Sequence, residues 1–125
     1  MSANILIVED DVNTVDIVSA ALTPLGVHIL HLKTGQEALR VLEEKLPHLI
    51  LVDVRLPASS ISGDKLVEYI KSDNQLANIP IIAVTAAGAE GVMKVMKAGA
   101  DGYLEKPFAI GSLRRIVSRY LGVGT

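Results

Sequence analysis

At 125 residues the chain is the size of one ordinary domain, able to bury about two-thirds of its unfolded surface without disulfide or metal staples. Half of it is apolar but only three Tyr and one Phe are aromatic, so the core has to be aliphatic. A net charge of −2 argues against general nucleic-acid binding, and the absence of cysteine excludes disulfides, thiolate catalysis and cysteine-based zinc sites.

In chain order, Met1-Ser2-Ala3-Asn4 leads into the apolar run Ile5–Val8, which is too short and lacks the basic start of a signal peptide. No stretch approaches the about 18 apolar residues of a membrane span, so a cytoplasmic protein is expected. Three acids, Glu9-Asp10-Asp11, follow directly. Val15, Val18, Leu22 and Leu25 then recur at helical spacing, with Pro24 disrupting the last turn and Gly26 ending it. A second strand covers Val27–Leu32. Its His28 and His31 stand three apart, which puts them on opposite faces and speaks against a joint metal site.

Thr34-Gly35-Gln36-Glu37 is a capping-box pattern opening a second helix that runs through Leu39 and Leu42 to Leu46, where Pro47 stops it. His48 begins the third strand, Leu49–Val52, at the end away from Asp53, so no phosphohistidine role is expected of it. Leu66, Val67 and Ile70 mark the third helix, Ile81–Val84 the fourth strand, and Val92, Met93, Val95 and Met96 the fourth helix. The fifth strand, Gly102–Leu104, is weaker. The last helix carries a wide apolar stripe of Ile110, Leu113, Ile116, Val117, Tyr120 and Leu121.

Strand and helix thus alternate five times. Nearly continuous apolar strands are those of parallel sheets covered on both faces. Right-handed crossovers give an α/β, flavodoxin-like (βα)5 doubly wound sheet of order 2-1-3-4-5. With no linker or repeat, one domain over residues 1–125, without an output domain, is expected.

In such sheets ligands sit beyond the carboxyl ends of the strands. Asp53 falls there, and the first strand, its neighbour, ends in Glu9-Asp10-Asp11. Crowded carboxylates repel, which is relieved by a raised pKa or by a hard cation such as Mg2+. A plainer account of Asp10 and Asp11 is that acids are favoured at a helix N-terminus. Thr85 and Lys106 bring a hydroxyl and an ammonium to the same edge, although either alone would be ordinary. Together the residues form a phosphoryl-transfer set: Asp53 as nucleophile, Asp10 and Asp53 holding Mg2+, Lys106 and Thr85 contacting the remaining oxygens.

The pieces ILIVEDD, LILVDVRLP, IPIIAVTA and AGADGYLEKPF, in this order over nearly the whole chain, resemble the receiver domain of two-component response regulators. The resemblance implies that Asp53 accepts the phosphoryl group, that Asp10 is the direct magnesium ligand with Glu9 its partner acid through water, and that Arg55 lends its backbone carbonyl. It implies that Thr85 is the switch hydroxyl, Lys106 the phosphate-contacting lysine, Tyr103 the aromatic whose rotamer follows phosphorylation, and that a cis peptide precedes Pro107. The donor would be a histidine kinase or a histidine phosphotransfer protein, with Mg2+-dependent self-phosphorylation and self-dephosphorylation but no conventional enzyme activity. The responding face would be the fourth helix, fifth strand and fifth helix, which could also carry a homodimer; no nucleic acid or membrane partner is expected.

Two departures from the family pattern stand out. The interval from Pro57 to Gly63 is two residues longer than is common, and that from Thr85 to Lys106 one residue shorter, the shortening falling in Ala86–Gly91 or the start of the next helix. Arg55 could lean over Asp53 or simply face solvent. Lys94, Lys97, Arg114, Arg115 and Arg119 could form a basic docking surface or a solvated helix face. The rival reading of the whole is a receiver-shaped interaction module that works without phosphate. A flavin carrier fits poorly, since Glu9-Asp10-Asp11 would repel a cofactor phosphate and no GxGxxG follows the first strand.

Overall fold

The computed structural model describes residues 3–56, 60–86 and 88–122. Five strands, β1 (Asn4–Val8), β2 (His28–Leu32), β3 (Leu49–Asp53), β4 (Ile81–Thr85) and β5 (Gly102–Glu105), alternate with helices α1 (Val12–Leu22), α2 (Gly35–Leu42), α3 (Gly63–Ser72), α4 (Gly88–Ala98) and α5 (Ile110–Leu121). All strand pairings are parallel, and the order is β2-β1-β3-β4-β5. The expected flavodoxin-like arrangement is therefore the one found.

Strand parity builds two cores. Ile5, Ile7, Leu49, Leu51 and Ile82 point to one face and pack on Val15, Val18 and Leu22 of α1 and Leu113 and Val117 of α5. Leu6, Val8, Ile50, Val52, Ile81 and Ala83 point to the other and pack on α2, α3 and α4 through Ala38, Leu66, Val67, Ile70 and Val95. Every residue of β3 and β4 is buried. Each Leu or Ile so buried contributes about 1.5–3 kcal/mol, which fixes the height of these strands in the sheet and so the position of whatever ends them. The edge strands β2 and β5 alternate between exposed and half-buried residues, which is why the last was faint in the sequence.

The end of α1 follows the sequence: a 3-10 turn over Thr23–Leu25 contains Pro24, and Gly26 closes it in the left-handed region at φ 74°. The second helix departs from expectation. It ends at Leu42, not Leu46, and Leu46 is 60% exposed. The amides of Glu43 and Glu44 turn back to the carbonyls of Arg40 and Val41. Two acids at a helix C-terminus oppose the macrodipole, and the chain must descend there to start β3 beside Ile5. The turn that α2 gives up leaves a groove of about 480 Å3 beside Leu30, Val41 and Leu46. A second departure lies on α4, where Val95 is buried but Met93 (72%) and Met96 (39%) are exposed. Among the described residues no helix is long and apolar enough to cross a membrane.

Candidate functional site

Asp53 is the last residue of β3, and its register partner Val84 lies one residue before the end of β4. The backbone just beyond it is pinned from three sides. Val54 N–H donates to the Val84 carbonyl (3.0 Å), Arg55 N–H donates to Asp53 Oδ1 (3.0 Å), and Gly63 N–H donates to the Val54 carbonyl (3.2 Å). Gly63 packs so closely that a Cβ there would overlap the Asp53 carbonyl and lie 2.6 Å from Val54 Cα. Only glycine lets α3 approach this strand end.

One strand over, Glu9 follows β1 and is almost wholly buried, at 2% exposure. Its N–H donates to the Leu32 carbonyl (2.9 Å). Asp10 comes next, half-buried. Carboxylate oxygens of Glu9, Asp10 and Asp53 all lie within 4.8 Å of one another. Asp11 has a different task. It caps α1, accepting from Asn13 N–H (3.2 Å) and the Thr14 hydroxyl (2.8 Å). The helix-terminus account of the acids thus holds for Asp11, whereas Asp10 joins the cluster.

From the far side of the sheet, Lys106 reaches the same acids. Its N–H donates to the Thr85 carbonyl (2.8 Å), the Lys106–Pro107 peptide is cis, and Nζ stands 3.0 Å from Glu9 Oε1 and 3.1 Å from Asp53 Oδ2. Thr85 ends β4 in the buried interior, while Tyr103, on the edge strand β5, is 43% exposed. The Arg55 side chain faces solvent, and among the described residues no ion pair joins it to the acids. Of the departures from the family pattern, Pro57, Ala58, Ser59 and Ala87 lie outside the described residues.

Burial, reinforced by the adjoining Asp53 carboxylate, pushes the Glu9 carboxyl up to about 7, against the opposing pull of Lys106 and the Asp11 N–H. The Thr14 hydroxyl, helped by Asn13 N–H, holds the Asp11 carboxyl below its ordinary value. Burial works against the Lys106 ammonium, but the bond to Glu9 and the charge and bond of Asp53 outweigh it, so its pKa is raised. Three carboxyls face one ammonium, which is a surplus of negative charge at a buried strand edge. The donors are all oxygen, and their spacing suits a hard divalent cation that keeps part of its water shell.

His31 and Gly63 did not stand out in the sequence as part of this site. The His31 ring reaches the Glu9 carbonyl from β2 (2.6 Å), a contact between residues 22 apart that only the register reveals. Gly63 could have been suspected as a glycine at a helix start, but its packing against β3 is tertiary.

Residues 5–118 match the family model of the response regulator receiver domain. The polar-differentiation response regulator DivK of Brucella ovis is 31% identical over 123 residues, covering 98% of both chains. Among solved structures, the receiver domain of a sensor histidine kinase from Pseudomonas aeruginosa PAO1, with a magnesium ion coordinated in its active-site cleft, superposes with a TM-score of 0.88 at 32% identity, covering 98% of this chain and 99% of that one. The signal receiver domain of a histidine kinase from Syntrophus aciditrophicus gives 0.88 at 31% identity, covering 96% and 90%.

Proposed function

This chain belongs to the response regulator receiver domain family, and from that premise we propose that it is a phosphorylation-driven switch taking its phosphoryl group on Asp53 from a phosphohistidine donor. The observation that carries the reading is the unequal charge at the strand ends, with Glu9, Asp10 and Asp53 converging on the single ammonium of Lys106.

In the proposed step an Asp53 oxygen attacks phosphorus. A P–O bond forms, the P–N bond to the donor imidazole breaks, and its electron pair stays on the imidazole, which takes up a proton. Asp53 acts as the nucleophile, with the Arg55 N–H holding its Oδ1 in place. Asp10 and Asp53, with Glu9 acting through water and the Arg55 carbonyl, would hold Mg2+, which when bound offsets charge on the transferring group. Lys106, already within hydrogen-bond reach of Asp53, takes up a phosphoryl oxygen. Thr85, at the end of the neighbouring strand, contacts another.

The added charge then draws Thr85 toward Asp53, and Tyr103, half in solvent, turns inward. The face of α4, β5 and α5 changes its contacts as a result. Met93, Met96, Tyr103 and Ile110 give that face exposed apolar surface, which suits a protein partner or a second copy. The donor is a histidine kinase or a histidine phosphotransfer protein, and the setting is the cytoplasm.

Incubation with Mg2+ and acetyl phosphate, followed by intact mass, tests the reading. A hydroxylamine-labile phosphoryl adduct is expected on the wild type and none on Asp53→Asn. No adduct under conditions that modify another receiver domain would instead favour an interaction module that works without phosphate.

A further inference from the structure

Glu9 lies one residue beyond the β1–β2 ladder, whose last paired residues are Val8 and Leu32. A peptide just past a strand end is free to rotate unless something else takes its polar groups. Here it must not rotate, because the Glu9–Asp10 peptide unit joins two residues whose carboxylates meet Asp53. Both polar groups of Glu9 are taken from β2. Its N–H donates to the Leu32 carbonyl (2.9 Å), and its carbonyl meets His31 Nε2 at 2.6 Å. A carbonyl only accepts, so Nε2 must carry the proton. His31 pairs in register with Ile7, and strand alternation puts Ile7 and Glu9 on the same side. The half-buried ring therefore lies within reach of Glu9 from the neighbouring strand.

Resting on the proposed function, we infer that His31 is a positioning residue for the acid cluster: its Nε2–H sets the plane of the Glu9–Asp10 peptide and thereby aims the carboxylate that is to hold Mg2+. It touches neither phosphate nor cation. Rotating that peptide swings the Asp10 Cα–Cβ bond and carries its carboxylate away from Asp53, which weakens a shared cation site. Groups that orient metal ligands typically change metal affinity by about 10–100-fold, and a bond acting through the backbone falls at the lower end, about tenfold.

The test compares the wild type with His31→Leu, which fills similar space without a donor, and His31→Gln, which restores one. Mg2+ affinity is read by calorimetry at a fixed pH, together with thermal unfolding and the 15N and 1H shifts of the Asp10 amide before any metal is added. His31→Leu is expected to bind Mg2+ about tenfold more weakly and to move the Asp10 amide resonance in the metal-free protein. His31→Gln should recover most of the affinity, and the melting temperature should follow neither change. Equal Mg2+ affinity in all three proteins, or an unmoved Asp10 amide in His31→Leu, overturns the inference. If His31→Leu does not fold, the ring nitrogens of the wild type decide: a proton on Nε2 supports the inference, and a bare Nε2 overturns it. A wild type that binds no Mg2+ defeats the functional reading itself, while the metal-free Asp10 and His31 resonances still report separately on the positioning.

Discussion

Two lysines at opposite ends of the sheet make instructive partners. Lys71 Nζ lies 2.7 Å from Asp101 Oδ2 and donates to the carbonyls of Ala77 (3.0 Å) and Ile79 (2.9 Å). Asp101 in turn accepts from Ile81 N–H (2.8 Å), and its carbonyl accepts from the Tyr120 hydroxyl (2.7 Å). One cation meets one anion, and the three ammonium protons meet three acceptors. Lys106 at the other end has fewer bonds and more charge around it, with Glu9 and Asp53 both in contact and Asp10 beside them. The first arrangement is closed and ties α3 to the starts of β4 and β5. The second is short of positive charge, and the proposed cation and phosphoryl group would each change its balance. Ion pairs by themselves say little about function; the stoichiometry of charge distinguishes the two.

That contrast can be broken most sharply at the closed end. Lys71→Met should lower stability by about 2–3 kcal/mol, chiefly because it leaves the Ala77 and Ile79 carbonyls without their donor, the partly exposed Asp101 carboxylate adding little. The folded fraction should still take phosphate from acetyl phosphate. Asp53→Asn should do the reverse, losing the adduct entirely while unfolding no earlier than the wild type, since one crowded charge has gone. Denaturant unfolding alongside intact mass checks both, and a parallel loss of stability and phosphorylation in either variant would erase the distinction.

Gly63→Ala is the next largest effect and blurs the two ends on purpose. The new methyl must push α3 off the Asp53–Val54 backbone, at a cost of about 1–3 kcal/mol. Phosphorylation should slow as well, because the displaced backbone carries Asp53, the proposed acceptor. Unfolding and phosphorylation rates measured on the same sample read the two effects.

A change of pH should act on the open end more gently. Glu9 holds its proton up to about 7 in the folded protein, against 4.5 as its ordinary value. The folded state therefore binds more protons than the unfolded state between those two values, so the metal-free protein should lose stability as pH rises through that window. A cation binds the ionised form, so the stabilisation by Mg2+ should grow over the same range. Melting temperatures with and without Mg2+ on either side of about 7 test this; a Mg2+ shift independent of pH would contradict it.

The smallest effect is expected from Lys106→Met. Without the competing ammonium, Mg2+ should bind a few-fold more tightly, since a like charge no longer opposes it. Calorimetry measures the change, and weaker binding would mean that Lys106 organises the acids more than it competes for them.

How far the sequence could be read depends on the range of the interaction. A continuous apolar run is a local signal, and so Leu49–Val52 announced a central strand and Asp53 its end. The capping box at Thr34 was legible for the same reason, and its Thr34 side chain does accept from Glu37 N–H. The end of α2 was not, because Leu42 and Leu46 are correctly spaced for a helix, and the demand that overrides them is the pairing of Leu49 with Ile5. Met93 and Met96 fit an apolar helix face in sequence but lie partly beyond the reach of the core.

The order of strand, acid and helix was enough by itself to determine the sheet, the edge where the acids gather and the residue types that gather there, because alternation and crossover handedness are imposed on every short segment alike. Only the folded molecule decided that Asp11 caps a helix while Asp10 turns to the cluster, that Lys106 bridges Glu9 and Asp53, that Lys71 is fully paired and that His31 grips the Glu9 carbonyl. Those contacts join residues far apart in the chain. They depend on angstrom-scale register between packed elements, which no local pattern specifies.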